Sequence, residues 1–364
     1  MTAELQAEAA RSPWVRLTSL GKTSRGRTLW LARVADPAAP PPARTVRLLV
    51  LCRQHGDEPA STEAALGLLR RISAGGDPAL RAELRRVTLY VVPMVNPDGA
   101  AAGTRANGAG ADLNRDWGVF GQPETRAVAR AVALIRPHVL MDAHNWDGGD
   151  HYDANCVEVS RDGTRPLGRA AQALQAAGIA QLQSSGYSVA ATSYSPAADP
   201  HLAHRWFTRQ GILSCLVETR SGSPHDAADF QRRQGVYVAL IHALARRYAD
   251  ARSELDQLEG HRPPSEQEAR LFPPRPAASP PSPPELGAGG AKRPILWLWG
   301  IGPYGLALFA LKLSRDGGSV MGRTPEFAPA SGRRSAGRPG TRRYQCSPCS
   351  RAPRPAPAAC GRRR

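Results

Sequence analysis

Short apolar runs alternating with stretches of helical spacing constrain what this chain can fold into. Thr45 to Leu51 (TVRLLVL), Val87 to Pro93 (VTLYVVP), His138 to Asp142 (HVLMD) and Ile212 to Val217 (ILSCLV) have strand length. Pro59 to Ile72, Glu124 to Ile135, Leu167 to Ala177 and Phe230 to Tyr248 carry apolar residues at helical spacing. Strand then helix, repeated, leads to an α/β fold: a mostly parallel mixed sheet with helices on both faces. Arg16 to Val34, two alternating runs around a Gly-bearing turn, predicts an opening hairpin. In such sheets ligands gather at the carboxyl ends of the strands, so the polar residues just beyond each apolar run matter most.

Composition sets the limits of that fold. Residues 1–260 carry 30 Lys+Arg against 26 Asp+Glu, whereas residues 261–364 carry 18 against 5 and hold 18 of the 33 prolines. A Pro-, Gly- and Arg-rich stretch with few apolar clusters cannot bury enough surface to offset its ordering entropy. The expectation is a folded α/β domain over residues 1–255 and a mostly disordered tail over 256–364. The net charge of +17 belongs mainly to that tail, so it gives no reason to expect a nucleic-acid partner. Within the tail, residues 295–311 (ILWLWGIGPYGLALFAL) are uncharged, at the low edge of a membrane-span length. Pro303 among Gly300, Gly302 and Gly305 weakens a continuous helix there, so a membrane anchor is the lesser reading. Cys346 and Cys349 form a lone CxxC without a second pair, and Cys52, Cys156 and Cys215 read as core residues rather than a disulfide framework. The N-terminus has no continuous apolar stretch, which points to a cytoplasmic protein, or to a secreted or periplasmic one if the true start lies upstream.

The chemistry concentrates at the predicted strand ends. His55-Gly56-Asp57-Glu58 follows the first run and Asp142-Ala143-His144 the third. Two imidazoles and a carboxylate, His55, Glu58 and His144, supply the three protein ligands of a catalytic zinc with a fourth position left for water. Glu218 closes the fourth run, where a carboxylate is costly without a task, and suits a general base. The loop after the second run contains Asn96-Pro97-Asp98-Gly99, Arg105-Ala106-Asn107 and Asp112-Leu113-Asn114-Arg115. A guanidinium with an adjacent amide suits a carboxylate clasp, and Arg105 is placed either to share in it or to polarise a carbonyl.

Taken in order, HGDE, NPDG, R-x-N, G-x-D-L-N-R, the strand-end D-x-H and the strand-end Glu resemble the zinc carboxypeptidases of the M14, carboxypeptidase A-like, type over residues 15–250. The short interval between Glu58 and His144 resembles bacterial members that trim cell-wall or γ-glutamyl peptides. The resemblance implies one zinc ion on His55, Glu58 and His144, Glu218 as base, and Arg105 at the scissile carbonyl. Asn114 and Arg115 would bind the free C-terminal carboxylate of a peptide substrate. It also implies a mobile tyrosine, matched by Tyr194 with Tyr187 as competitor, and a side-chain pocket lined by the stretch Asp199 to Trp206. An unpaired Arg205 guanidinium buried there would favour an acidic terminal side chain; the alternative is Arg205 facing solvent or paired with Asp199. A monomer is expected. Two other readings share the motifs: an aspartoacylase-like deacylase of N-acyl amino acids, and an inactive binding module.

Overall fold

The computed structural model describes residues 1–145, 154–162, 165–195, 197–220 and 226–258, with the backbone of Trp297–Gly302 and Gly305–Ala310. The core is an eight-stranded mixed sheet. In chain order its strands are β1 (Val15–Lys22), β2 (Thr28–Val34), β3 (Val46–Cys52), β4 (Val87–Val92), β5 (Val139–Asn145), β6 (Asn155–Ser160), β7 (Val189–Tyr194) and β8 (Leu213–Thr219). Their spatial order is β1-β2-β4-β3-β5-β8-β6-β7. The four central strands run parallel, while β2 and β6 join them antiparallel at either side. The expected hairpin is β1 paired with β2.

Strands β3, β4 and β5 are buried along their whole length, which is why they read as continuous apolar runs instead of alternating ones. Val139, Met141 and Ala143 face one core, shared with α2 (Ala60–Ala74), α6 (Pro166–Ser184) and α8 (Ala227–Tyr248). Leu140 faces the other, with α5 (Pro123–Ile135), α7 (Ala203–Arg209) and Trp117. Helices thus cover both faces, as expected. Four shorter helices, α1 (Thr2–Arg11), α3 (Pro78–Glu83), α4 (Pro97–Ala102) and α9 (Arg252–Asp256), as well as β6, β7 and α7, carry too little apolar periodicity to stand out in the sequence. Leu255 in α9 is buried in the first core, and Asp256 lies 3.0 Å from His138, so packing continues past residue 255.

Cys52, Cys156 and Cys215 are buried and free. In the second compact unit, Trp297–Gly302 and Gly305–Ala310 pair antiparallel as a hairpin. The apolar run at 295–311 is therefore not one helix: Gly300 and Gly302 sit in one strand and Gly305 in the other. Among the described residues no helix is long and apolar enough to cross a membrane. The Pro-rich stretch after Arg262, the CxxC at Cys346 and the Arg clusters lie outside the described residues.

Candidate metal centre

The site forms where β3, β5 and β8 end side by side. Leaving β3, Arg53 takes a left-handed φ of 55°, an unusual conformation for a residue with a side chain. The turn it makes brings His55 and Glu58 back over the sheet edge. Gly56 is required there: a Cβ would lie 2.0 Å from the backbone carbon of Gly99. That close approach explains the NPDG motif. Asn96 caps α4 by accepting from Gly99 N at 2.8 Å, and its amide donates to the carbonyls of Gln54 and Arg105 at 3.1 Å each. Asp98 accepts from Arg27 at 2.8 Å and from the Arg25 backbone, tying the turn of the opening hairpin to this loop. Asn96 and Asp98 build the site without entering it.

His55, Glu58 and His144 form a buried cluster whose donor atoms all lie within 4.8 Å of one another. The two Nδ1 atoms are 3.2 Å apart, and Glu58 spans them, Oε1 at 2.5 Å from His55 and Oε2 at 2.9 Å from His144. Each outer nitrogen meets a carboxylate: His55 Nε2 lies 3.1 Å from Asp112 Oδ1, and His144 Nε2 lies 3.1 Å from Asp142 Oδ1. A carboxylate at Nε2 favours the tautomer with its proton there, leaving the two Nδ1 lone pairs convergent. Burial alone would lower the pKa of His144, yet Asp142 and Glu58 hold it well above the usual histidine range. Burial works against ionised Glu58 too, but His144 and His55 keep its pKa below the usual carboxylate range. A pocket that draws in positive charge this way, with nitrogen and oxygen donors converging, fits one zinc ion.

Around the cluster, β5 and β8 run in register so that His144 and Glu218 are direct neighbours. One carboxylate oxygen of Glu218, Oε1, is buried without a hydrogen-bond partner. Burial pushes its pKa up to about 8; His144 opposes this, while Glu58 and Asp142 add to it. Arg105 is half exposed and donates from Nε to Asp112 Oδ2 at 3.1 Å, with Nη1 3.7 Å from Glu58. Its guanidinium lies at the open side of the cluster. Arg115 is also about half exposed, its nearest acid being Asp199 at 3.9 Å.

Three expected residues have different surroundings from those the motifs suggest. Asn114 is buried, accepting from Ala203 N at 2.9 Å through Oδ1, while its Nδ2 packs 3.2 Å from His144 Nε2, whose proton faces Asp142. Tyr194 is buried at the end of β7, its ring 5.3 Å from His204 and 4.8 Å below the Arg205 guanidinium, so its contacts are with α7 and not with the three candidate ligands. Tyr187 packs against the opposite core. Arg205 donates to Glu158 Oε1 at 2.8 Å, so the argument for an acidic substrate from an unpaired guanidinium no longer holds. Residues that sequence reasoning passed over complete the surroundings. Gln54, next to His55, donates to Asp142 Oδ1 at 2.5 Å and accepts from Trp117 Nε1 at 2.7 Å. Asp142, two residues before His144, carried a signal in the sequence, whereas Asp112, 57 residues from His55, is joined to it only by the fold.

The family model for zinc carboxypeptidases matches residues 1–195. Carboxypeptidase D of Mus musculus is 30% identical over 186 residues, covering 40% of this chain and 14% of that protein. Carboxypeptidase SOL1 of Arabidopsis thaliana is 30% identical over 153 residues, 36% of this chain and 31% of the other. The chain thus spans less than a third of the length of either relative. Among solved structures, a metallo-carboxypeptidase from Burkholderia cenocepacia superposes with a TM-score of 0.57 at 26% identity, covering 67% of each chain. A metallo-carboxypeptidase from Pseudomonas aeruginosa, in complex with (2-guanidinoethylmercapto)succinic acid, has a TM-score of 0.57 at 23% identity over 70% of this chain and 68% of that one, a likeness of fold.

Proposed function

This chain belongs to the zinc carboxypeptidase family, and on that premise we propose that it removes the C-terminal residue of peptides bearing a free terminal carboxylate, with γ-glutamyl and cell-wall peptides in the same reaction class. The observation that carries the proposal is the convergence of His55 Nδ1, His144 Nδ1 and Glu58, each imidazole backed by its own carboxylate, beside Glu218 with its unpartnered Oε1. Zinc held by His55, Glu58 and His144 would supply a Lewis acid that lowers the pKa of a water and polarises a carbonyl.

The chain's own groups supply the rest. Glu218, placed beside His144 and short of hydrogen-bond partners, is suited to take a proton from the attacking water and deliver it to the leaving nitrogen. Arg105, at the open side, is suited to donate to the scissile carbonyl oxygen as charge develops on it. Arg115, whose guanidinium is the freer partner of the Asn-Arg pair, is the group to meet the substrate carboxylate. Asn114 supports that reading as a brace between His144 and α7.

The test couples zinc content with hydrolysis of matched peptides carrying free and amidated C-termini. The proposal expects about one zinc per chain and cleavage of the free form alone. Equal cleavage of both forms would exclude the carboxylate clasp, and cleavage of N-acyl amino acids in preference to peptides would favour deacylase action.

A further inference from the structure

A line of buried polar groups leads from His144 away from the cluster, and the proposed reaction does not use it. Asp142 is fully buried, and its Oδ1 is engaged by His144 Nε2 and Gln54 Nε2. Its other oxygen, Oδ2, has no hydrogen-bond partner; the nearest basic group is Nδ1 of His204, 3.7 Å away and itself without a partner. His204 is completely buried in α7, and its Nε2 lies 2.8 Å from Glu158 Oε1, the same oxygen that receives Arg205. Both ring nitrogens of His204 face carboxylate oxygens, Nε2 at Glu158 and Nδ1 at Asp142, so a ring carrying hydrogen on both bridges the two acids once Nδ1 and Oδ2 close by less than an ångström. The preceding residue makes a second link, since Ala203 N holds the Asn114 amide whose nitrogen touches His144 Nε2.

We infer that His204 is a positioning residue for the metal centre: from α7 it orients Asp142, and through Asp142 it fixes the ring of His144. Glu158 anchors the far side of the His204 ring, and Tyr194 packs edge-on against it, so the ring has little freedom to turn. The orientation of a carboxylate depends on both oxygens. Removing His204 takes away the basic group nearest Oδ2, so Asp142 is free to rotate and the Oδ1 contact that selects the tautomer of His144 loosens with it. Outer groups of this kind tune how tightly and in what geometry a ligand histidine binds. The inference rests on the reading of His55, Glu58 and His144 as metal ligands.

The experiment measures zinc affinity of the full chain by chelator competition, and the visible absorption of the cobalt-substituted protein, for the parent, His204→Ala, His204→Gln, Asp142→Asn and the double variant His204→Ala/Asp142→Asn. Loss of an outer partner costs about 10- to 100-fold in metal affinity, so a group one contact further out is expected to cost about 3- to 10-fold in His204→Ala, with a shifted cobalt band. His204→Gln, which keeps a side-chain N–H, should recover part of both, and it carries the test if His204→Ala does not fold. In the Asp142→Asn background, removing His204 should add little. Unchanged zinc affinity and cobalt spectrum in His204→Ala, or in His204→Gln where His204→Ala does not fold, even with lowered thermal stability, would leave His204 a packing residue and overturn the inference. Full additivity of the two substitutions would overturn it as well. A parent chain that binds no zinc would instead sink the metal-site reading, and the inference along with it.

Discussion

Replacing Glu218 by Gln should have opposite effects on stability and turnover, because the feature that makes Glu218 useful also makes it expensive to bury. In metal-free protein burial raises its pKa from 4.5 to about 8. Between those values the native state holds a proton that the unfolded chain has released, so stability falls as pH rises through that window and stays reduced above it. At about 1.4 kcal/mol per pH unit the ceiling is roughly 5 kcal/mol. Only Oε1 is wholly buried and the side chain keeps some solvent access, so about 2–3 kcal/mol is the realistic share. Glutamine has the same shape and no charge to desolvate. Metal-free Glu218→Gln should therefore match the parent near pH 4.5 and exceed it by about 2–3 kcal/mol above pH 8, a rise of about 1 M in urea midpoint for a domain of this size. The zinc-loaded variant should keep its metal while turnover falls by about 10²- to 10⁴-fold. Urea titrations of both metal-free proteins from pH 5 to 9 decide the first half. Parallel stability curves would show that Glu218 is not held in a desolvated setting, and the case for a tuned base would fail with it.

Other outcomes test the remaining parts. His144→Ala should lose most of its zinc by elemental analysis, because two ligands on one short turn cannot replace an imidazole supplied from β5; stoichiometric metal in that variant would point to a different third ligand. A chain ending at Leu258 should fold and retain zinc, whereas one ending at Ala251 gives up buried Leu255 and the Asp256 contact with His138. That shorter chain should be about 2–5 kcal/mol less stable by urea denaturation; equal stability would move the domain boundary inward. Glu158→Gln should free Arg205 and raise kcat/KM for a peptide ending in Glu relative to Phe and Lys by about tenfold, the worth of one charge-assisted hydrogen bond. An unchanged ranking would show that Arg205 does not face the substrate side chain.

What the sequence made legible depended on the distance over which each relation acts. His55 and Glu58 lie on one turn, so spacing alone joins them, and His144 and Glu218 each close a strand whose apolar run marks its end. Strand-helix alternation gives the parallel direction of β3, β5 and β8, while their adjacency, which brings those ends together, is set by the fold. Relations set by packing stayed hidden. Arg205 was visible as a guanidinium beside a possible pocket, but its counterion, Glu158, is 47 residues away on β6, a strand too short and too polar to stand out. Asn114 looked like half of a carboxylate clasp because it precedes an arginine. Its burial and its bond to Ala203 come from the seating of α7, which no local pattern encodes.

The contrast between Asn114 and Arg115 shows how the fold divides one motif between two tasks. The short helical turn at Leu113–Arg115 is capped by Asp112, which accepts from Asn114 N at 2.9 Å while also facing His55 and Arg105. Leu113 and Asn114 of this turn are both buried, while Arg115 is half exposed. Asn114 turns inward to brace His144, and Arg115 is left at the surface, half exposed, where a substrate can reach it. Asp112 therefore makes three contacts at once: it faces His55 Nε2, receives Arg105, and caps the turn that carries Asn114 and Arg115. A residue that reads in the sequence as the first letter of a D-L-N-R motif is, in the fold, the group through which the binding loop and the candidate metal centre are built together.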